Sequence, residues 1–442
     1  MKVDLIIENA AHLVTCASDG KPKRGAAMAE VGIVENGATA IVKGKIVGVG
    51  HSDEIKRNFQ SETVVDAKNK VVCPAFVDPH THIVFAGNRL NEFELKIKGA
   101  DYLEILENGG GIISTVKQTR EANFESLVEQ SRRRLDEMLV CGTLTAEIKT
   151  GYGLDTETEL KMLAAIFALD KVHAIDLVPT FLPAHAVPIA DFKMRNAEWS
   201  NERIADEYVN LICEEMLPKA WEFCQNKAAS GSKTPHFATR TPHCFADVFC
   251  EKNAFNLEQS RRVLEAAKKL GFGLKAHVDE FTNLGCAKLA IELGATSIDH
   301  LDATSDEEIE MLANSNTIGI VTPTVNFNFG STHFADARKM IDRGCAIAVS
   351  TDYNPGSAPC PSQPLAMAIA CRYQKLTPSE AFNAATINAA YAIGLGESVG
   401  SLEVGKYADV LILDTNDYRQ IAYEFGANYI ETMIKKGKII KT

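Results

Sequence analysis

From residue 71 to about residue 393 the sequence alternates brief apolar runs with longer segments of helical period. Such a chain sets its strands side by side through helical crossovers, which makes the sheet parallel and puts the helices outside it. Eight runs read as strands: residues 71–77, 143–149, 176–181, 246–250, 273–277, 296–298, 318–321 and 346–350. Helical periods between them cover residues 124–139, 157–169, 202–226, 257–270, 287–293 and 305–313. Eight strands inside a ring of helices predict an α/β fold, a (β/α)8 barrel of the TIM type.

Both ends of the chain read differently. Short strands with glycine turns are predicted at residues 4–7, 13–16, 40–42 and 45–49, the last after a Lys43-Gly44 turn. Residues 400–414 form a turn followed by a strand with no helix after it. A late strand of this kind can pair with the early ones. The expected organisation is therefore a small β-sandwich built from residues 1–70 and 396–442, with the barrel, residues 71–395, inserted between its parts.

Charge narrows the partners. Forty-six Lys and Arg against 58 Asp and Glu give a net charge of −12, which opposes binding to nucleic acid or an anionic membrane. The Arg132-Arg133-Arg134 run is expected on a solvated helix face. Eleven cysteines without a C-x-x-C pair suggest neither a disulfide framework nor a thiolate zinc site. The opening residues are punctuated by acids, and no run is long enough to cross a bilayer, so a cytoplasmic protein is expected.

Chemistry gathers at the strand ends. His80-Thr81-His82 puts two imidazoles at i and i+2, on one face of an extended segment, with Thr81 turned away. Later strands end in Phe249-Cys250-Glu251, in His277-Val278-Asp279-Glu280, in Asp299-His300 and in Ser350-Thr351-Asp352. The carboxyl ends of barrel strands surround one site, so His80, His82, His277 and Asp352 can meet although far apart in sequence. Any one of these histidines alone is an ordinary polar residue. Three imidazoles and a carboxylate together suit Zn2+ or Fe2+, with a position left for water.

Glu280 stands where a carboxylate could take a proton from water activated by that metal. His300 is expected to bond a substrate oxygen or to support a ligand. Asp352 is expected to touch the metal and, with Glu280 as the alternative, to protonate a leaving nitrogen. A bridged two-metal site would need a modified lysine at the end of the fourth strand, and Lys252 falls one residue too late, so one metal is expected. Gly109-Gly110-Gly111 lacks the Gly-Lys-Ser/Thr of a phosphate loop and reads as a loop over the site. His12, His51, His173, His236, His243 and His333 are expected to be structural or exposed.

With these motifs the chain resembles the amidohydrolase superfamily. Longer runs are similar to the imidazolonepropionase family: Pro79 to Arg89, Glu92-Phe93-Glu94-Leu95, Gly109 to Val116, Glu147 to Leu154, and Thr351 to Ser357. The resemblance implies hydrolysis of 4-imidazolone-5-propanoate to N-formimidoyl-L-glutamate in histidine degradation. It also implies one zinc or iron ion (Zn2+, Fe2+ or Fe3+) per chain, held by His80, His82, His277 and Asp352. By the same carry-over Arg89, Tyr152, His185, Glu280, Asn354, Gly356 and Ser357 line the substrate pocket, with Arg89 as a guanidinium fork for the propionate. A homodimer is expected. Tyr353 and Glu280 depart from the family pattern, which has a smaller residue at the first and often Gln at the second. The competing readings are a mononuclear deaminase of a purine or pyrimidine ring and a non-catalytic scaffold. Arg89 speaks against the first and the intact ligand set against the second.

Overall fold

The computed structural model describes residues 1–99, 110–229 and 244–440, and Gly109, His236 and His243 lie outside them. The chain opens with β1 (Leu5–Val14), β2 (Ile33–Val42), β3 (Lys45–His51), β4 (Val64–Asp66) and β5 (Val71–Pro74). The predicted strands at 4–7 and 13–16 are one strand, β1, whose pairing with β2 shifts register between Ile7 and Ala10. Lys43 and Gly44 both have positive φ, 49° and 75°, and close the β2–β3 hairpin.

The barrel follows: β6 (Phe76–Asp78), β7 (Thr143–Lys149), β8 (Asp176–Ala184), β9 (Phe245–Cys250), β10 (Gly273–Val278), β11 (Ser297–His300), β12 (Ile318–Val321) and β13 (Ile347–Val349), paired in chain order and all parallel. All residues of β7 and β8 are buried, as expected of strands covered on both faces. The chain ends with β14 (Val410–Leu413), β15 (Ile430–Lys435) and β16 (Lys438–Ile440). These join the opening strands in one mixed sheet of order β16-β15-β14-β5-β1-β2-β3, with β4 on β1, as expected of a sandwich domain made from both termini.

One predicted strand is divided. Residues 71–77 read as a single barrel strand, yet Val71–Pro74 lies in the mixed sheet between β1 and β14, and Phe76 begins the barrel. Hydrogen bonding changes sides within one residue: Ala75 N donates to Asp409 O at 3.0 Å and Phe76 N to Gly142 O at 3.1 Å. The predicted helix at 202–226 is also broken into Asn201–Leu211 and Leu217–Ala229 by a π-helical turn, Ile212–Met216. Within its last part Cys224 forms a disulfide with Cys244, just before β9, that the cysteine spacing did not suggest.

Arg134 departs from the solvated face expected of its triplet. Arg132 and Arg133 pair with Glu129 at the surface, whereas Arg134 turns inward, donates to Ile83 O at 2.9 Å and Phe85 O at 2.7 Å, and lies over the Phe85 ring. It thereby fixes the segment that follows His82. Among the described residues no helix is long and apolar enough to cross a membrane.

Side chains join the first barrel strand to the last. The amide of Gln363 donates to Val77 O at 2.8 Å and to Val349 O at 3.0 Å, and Asp78 accepts from the hydroxyls of Ser350 and Thr351. Gln363→Leu leaves two buried carbonyls without donors, which should cost on the order of 2 kcal/mol or more. A lower thermal midpoint with an unchanged far-UV spectrum is the expected result.

Candidate metal centre

Backbone bonds pin the His-Thr-His segment from both sides. Thr81 Oγ1 donates to Glu147 O at 2.7 Å, Lys149 N donates to Thr81 O at 2.8 Å, and His82 N donates to Tyr353 O at 2.9 Å. Thr81 is thus turned to the barrel wall and the two imidazoles face inward. Nε2 of His82 lies 3.2 Å from Nε2 of His80 and 3.3 Å from Nε2 of His277. Oδ1 of Asp352 lies 3.5 Å from Nε2 of His80 and 3.6 Å from Nε2 of His82 and has no hydrogen-bond partner.

This cluster fits a metal ion. Nδ1 of His80 donates to Asp299 Oδ2 at 2.7 Å, which leaves its Nε2 lone pair free and aimed at the other rings. Burial holds His80, His82 and His300 well below the usual imidazole range, so all are neutral. Three ring nitrogens and an unpartnered carboxylate oxygen that converge in this way offer four donors to a single cation. Nitrogens bound tetrahedrally at roughly 2.0–2.1 Å from a zinc ion stand roughly 3.3–3.4 Å apart, close to the separations found here. Burial also pushes Asp352 and Glu280 well above the carboxylate range, each further raised by acidic neighbours, a penalty that a cation would relieve.

Around the cluster, His185 stacks on His82 with ring centres 4.9 Å apart, and its Nδ1 donates to Gly151 O at 3.0 Å. Gly151 has φ 111°, and a Cβ there would lie 2.7 Å from that nitrogen, so only glycine fits. Burial and the nearby His277 lower His185 to about 3. The ring of buried Tyr152 sits 6.0 Å from His82 and 5.3 Å from His185. Nε2 of His300 lies 3.9 Å from Glu280 Oε2, and its Nδ1 is 3.0 Å from the Thr322 hydroxyl. Non-glycine residues with positive φ mark three strand ends: Asp279 (56°), His300 (82°) and Asp352 (47°).

Arg89 is oriented from below. Its Nε donates to Thr115 Oγ1 at 2.9 Å, and a Cβ on Gly356 would collide with its Nη1. The Asn354 amide is spent on its own loop: Oδ1 accepts from Gly356 N at 2.8 Å and Ser357 N at 2.7 Å, while Nδ2 donates to Asp352 O and Ser357 Oγ, both at 2.8 Å. The Tyr353 hydroxyl donates to Glu137 on the outer helix at 2.7 Å, so its ring does not narrow the cluster. Lys252 is exposed, and Glu251 accepts from Phe281 N and Thr282 N, both at 3.0 Å.

Glu147, Lys149, Asp247 and Asp299, whose role no sequence motif discloses, form a fully buried charged layer inside the barrel. The available signal was a set of charged residues interrupting apolar strands at alternate positions, the period that faces one side of a sheet.

Residues 71–440 match the Amidohydrolase family. The chain belongs to that family and is a hydrolase of its metal-dependent kind. An imidazolonepropionase of Chloroflexus aggregans is 49% identical over 99% of both chains, and one of Alkaliphilus oremlandii is 45% identical over 100% of this chain and 98% of its own. Within the amidohydrolases, the chain therefore belongs to the imidazolonepropionases. Among solved structures, a zinc-bound adenosine deaminase from Xanthomonas campestris shares the fold, with a TM-score of 0.68 at 17% identity over 99% of this chain and 93% of its own.

His277→Ala is expected to remain folded and to lose its metal. Elemental analysis after gel filtration checks this, and a variant that keeps one ion per chain would show that the ligand set is wrong.

Proposed function

We propose that the protein opens the ring of 4-imidazolone-5-propanoate by hydrolysis, giving N-formimidoyl-L-glutamate, in the degradation of histidine. The observation that carries the reading is a guanidinium beside a cluster suited to a metal. Arg89, turned by Thr115, lies against Gly356 of the loop that leaves Asp352, while the rings of Tyr152 and His185 pack against His82. A small ring bearing a propionate matches that pairing, with the carboxylate on Arg89 and the ring over the histidines.

His80, His82, His277 and Asp352 would hold one zinc or iron ion, since imidazole and carboxylate donors suit either. When bound, the ion supplies a Lewis acid that acidifies water and polarises the ring carbonyl. Glu280 takes the proton of the attacking water. With the Thr322 hydroxyl donating to Nδ1 of neutral His300, its Nε2–H is free to donate to the carbonyl oxygen as negative charge develops there. The water oxygen bonds to the carbonyl carbon, the bond from that carbon to the ring nitrogen breaks, and Glu280 returns its proton to that nitrogen. The former carbonyl becomes the α-carboxylate of the product. Tyr152 and His185 wall the ring, and the loop from Asn354 to Ser357 keeps the floor under Arg89. We further propose a homodimer in the cytoplasm.

Loss of the imidazolone chromophore on adding metal-loaded protein tests the reaction. Ammonia release from purines or pyrimidines, with the imidazolone untouched, would overturn it. Arg89→Met should raise KM about 10- to 100-fold with a smaller change in kcat. Glu280→Leu should instead lower kcat about 100-fold or more with metal content unchanged.

A further inference from the structure

Two of the proposed ligands are tied to the same ammonium. Nδ1 of His80 donates to Oδ2 of Asp299 at 2.7 Å, and Nδ1 of His277 lies 3.1 Å from Oδ2 of Asp247. Those same two carboxylate oxygens accept from Nζ of Lys149, at 3.3 Å and 2.7 Å. The third bond of Nζ goes to Glu147 Oε1 at 2.9 Å. Lys149, Glu147, Asp247 and Asp299 are all 0% exposed, so neither water nor salt screens this arrangement.

Lys149 stays charged. Burial alone would strip its proton, but the carboxylates of Asp247, Glu147 and Asp299 outweigh burial and hold it well above the usual lysine range. The donor atoms of Asp247, His277 and Asp299 lie within 4.8 Å of one another, a grouping that would itself suit a cation, and the Lys149 ammonium bonds to both of its aspartates. The other buried lysine of the layer, Lys275, donates to Pro79 O at 3.0 Å and lies 3.4 Å from Glu147. That leaves Lys149 as the cation between the two aspartates.

We infer that Lys149 is a positioning residue of the metal centre: its single ammonium locks Asp299 and Asp247, and through them sets the ring orientation and tautomer of His80 and holds a carboxylate against Nδ1 of His277. A carboxylate on the far nitrogen of a ligand histidine fixes the ring and raises its basicity. Here one cation governs two such carboxylates, so the two ligands are set together. The inference rests on reading His80, His82, His277 and Asp352 as the metal site.

The test strips the protein with chelator and titrates it with Zn2+ against a chromophoric competitor, then records the Co2+ absorption spectrum. The variants are Lys149→Met, Asp299→Asn and the two combined. Lys435→Met is the control, since Lys435 bridges Asp176 and Asp409 at 2.8 Å each, where the barrel meets the mixed sheet. Lys149→Met should lower Zn2+ affinity about 10- to 100-fold and shift the Co2+ bands. Lys435→Met should lower only the thermal midpoint. The combined variant should bind more weakly than Asp299→Asn, through Asp247, but by less than the product of the two single effects. If Lys149→Met does not fold alone, the combined variant against Asp299→Asn decides the matter, and equal affinities there overturn the inference. A folded Lys149→Met with wild-type affinity and spectrum, or effects that simply multiply, also overturns it. A parent protein that takes up no Zn2+ overturns the metal reading itself.

Discussion

The Nε2 atoms of His80, His82 and His277 converge at the barrel mouth, 3.2 and 3.3 Å apart, close enough for one cation to reach all three. The rest of the barrel mouth is organised around maintaining that convergence. Thr81 and Lys149 tie the His-Thr-His segment to β7, and the Tyr353 carbonyl ties it to the segment after β13. Arg134 reaches in from an outer helix to hold the carbonyls just beyond. Positive φ angles at His300 and Asp352 are the local cost, borne by surrounding contacts that leave these residues no alternative.

Beneath the histidines the barrel interior carries charge where such barrels usually carry branched apolar side chains. Glu147, Lys149, Asp247, Lys275 and Asp299 are all fully buried, and their mutual pairing is what makes so much charge tolerable there. Breaking one member would leave the others uncompensated. The layer is therefore stiff, and stiffness beneath converging side chains is useful when reacting atoms must be held within fractions of an ångström.

Much of this could be read from the sequence for reasons that are specific. Strands buried on both faces are mostly apolar, so eight barrel runs were visible, the first of them shared between two sheets. The His80–His82 spacing carries its geometry with it, because alternate residues of an extended chain share a face. What stayed hidden depended on partners distant in the chain. Lys149 bonds to residues 98 and 150 positions away, and nothing near it in sequence says that a buried lysine will meet two aspartates. Nor does an apolar run record which neighbour its backbone bonds to, which is why the change of sheet at Ala75 was invisible. Arg134 could not be told from Arg132 and Arg133 without knowing which side of the helix meets Phe85.

The change of sheet at Ala75 also bears on the order in which the molecule can be made. β5 lies between β1 and β14, and only Ala75 separates it from β6, which leads directly into His80 and His82. A nascent chain emerging from the ribosome has β1 available before β5 but lacks β14 until the whole barrel has been synthesised. The anchor of the histidine-bearing segment is thus completed by a strand translated long after that segment itself.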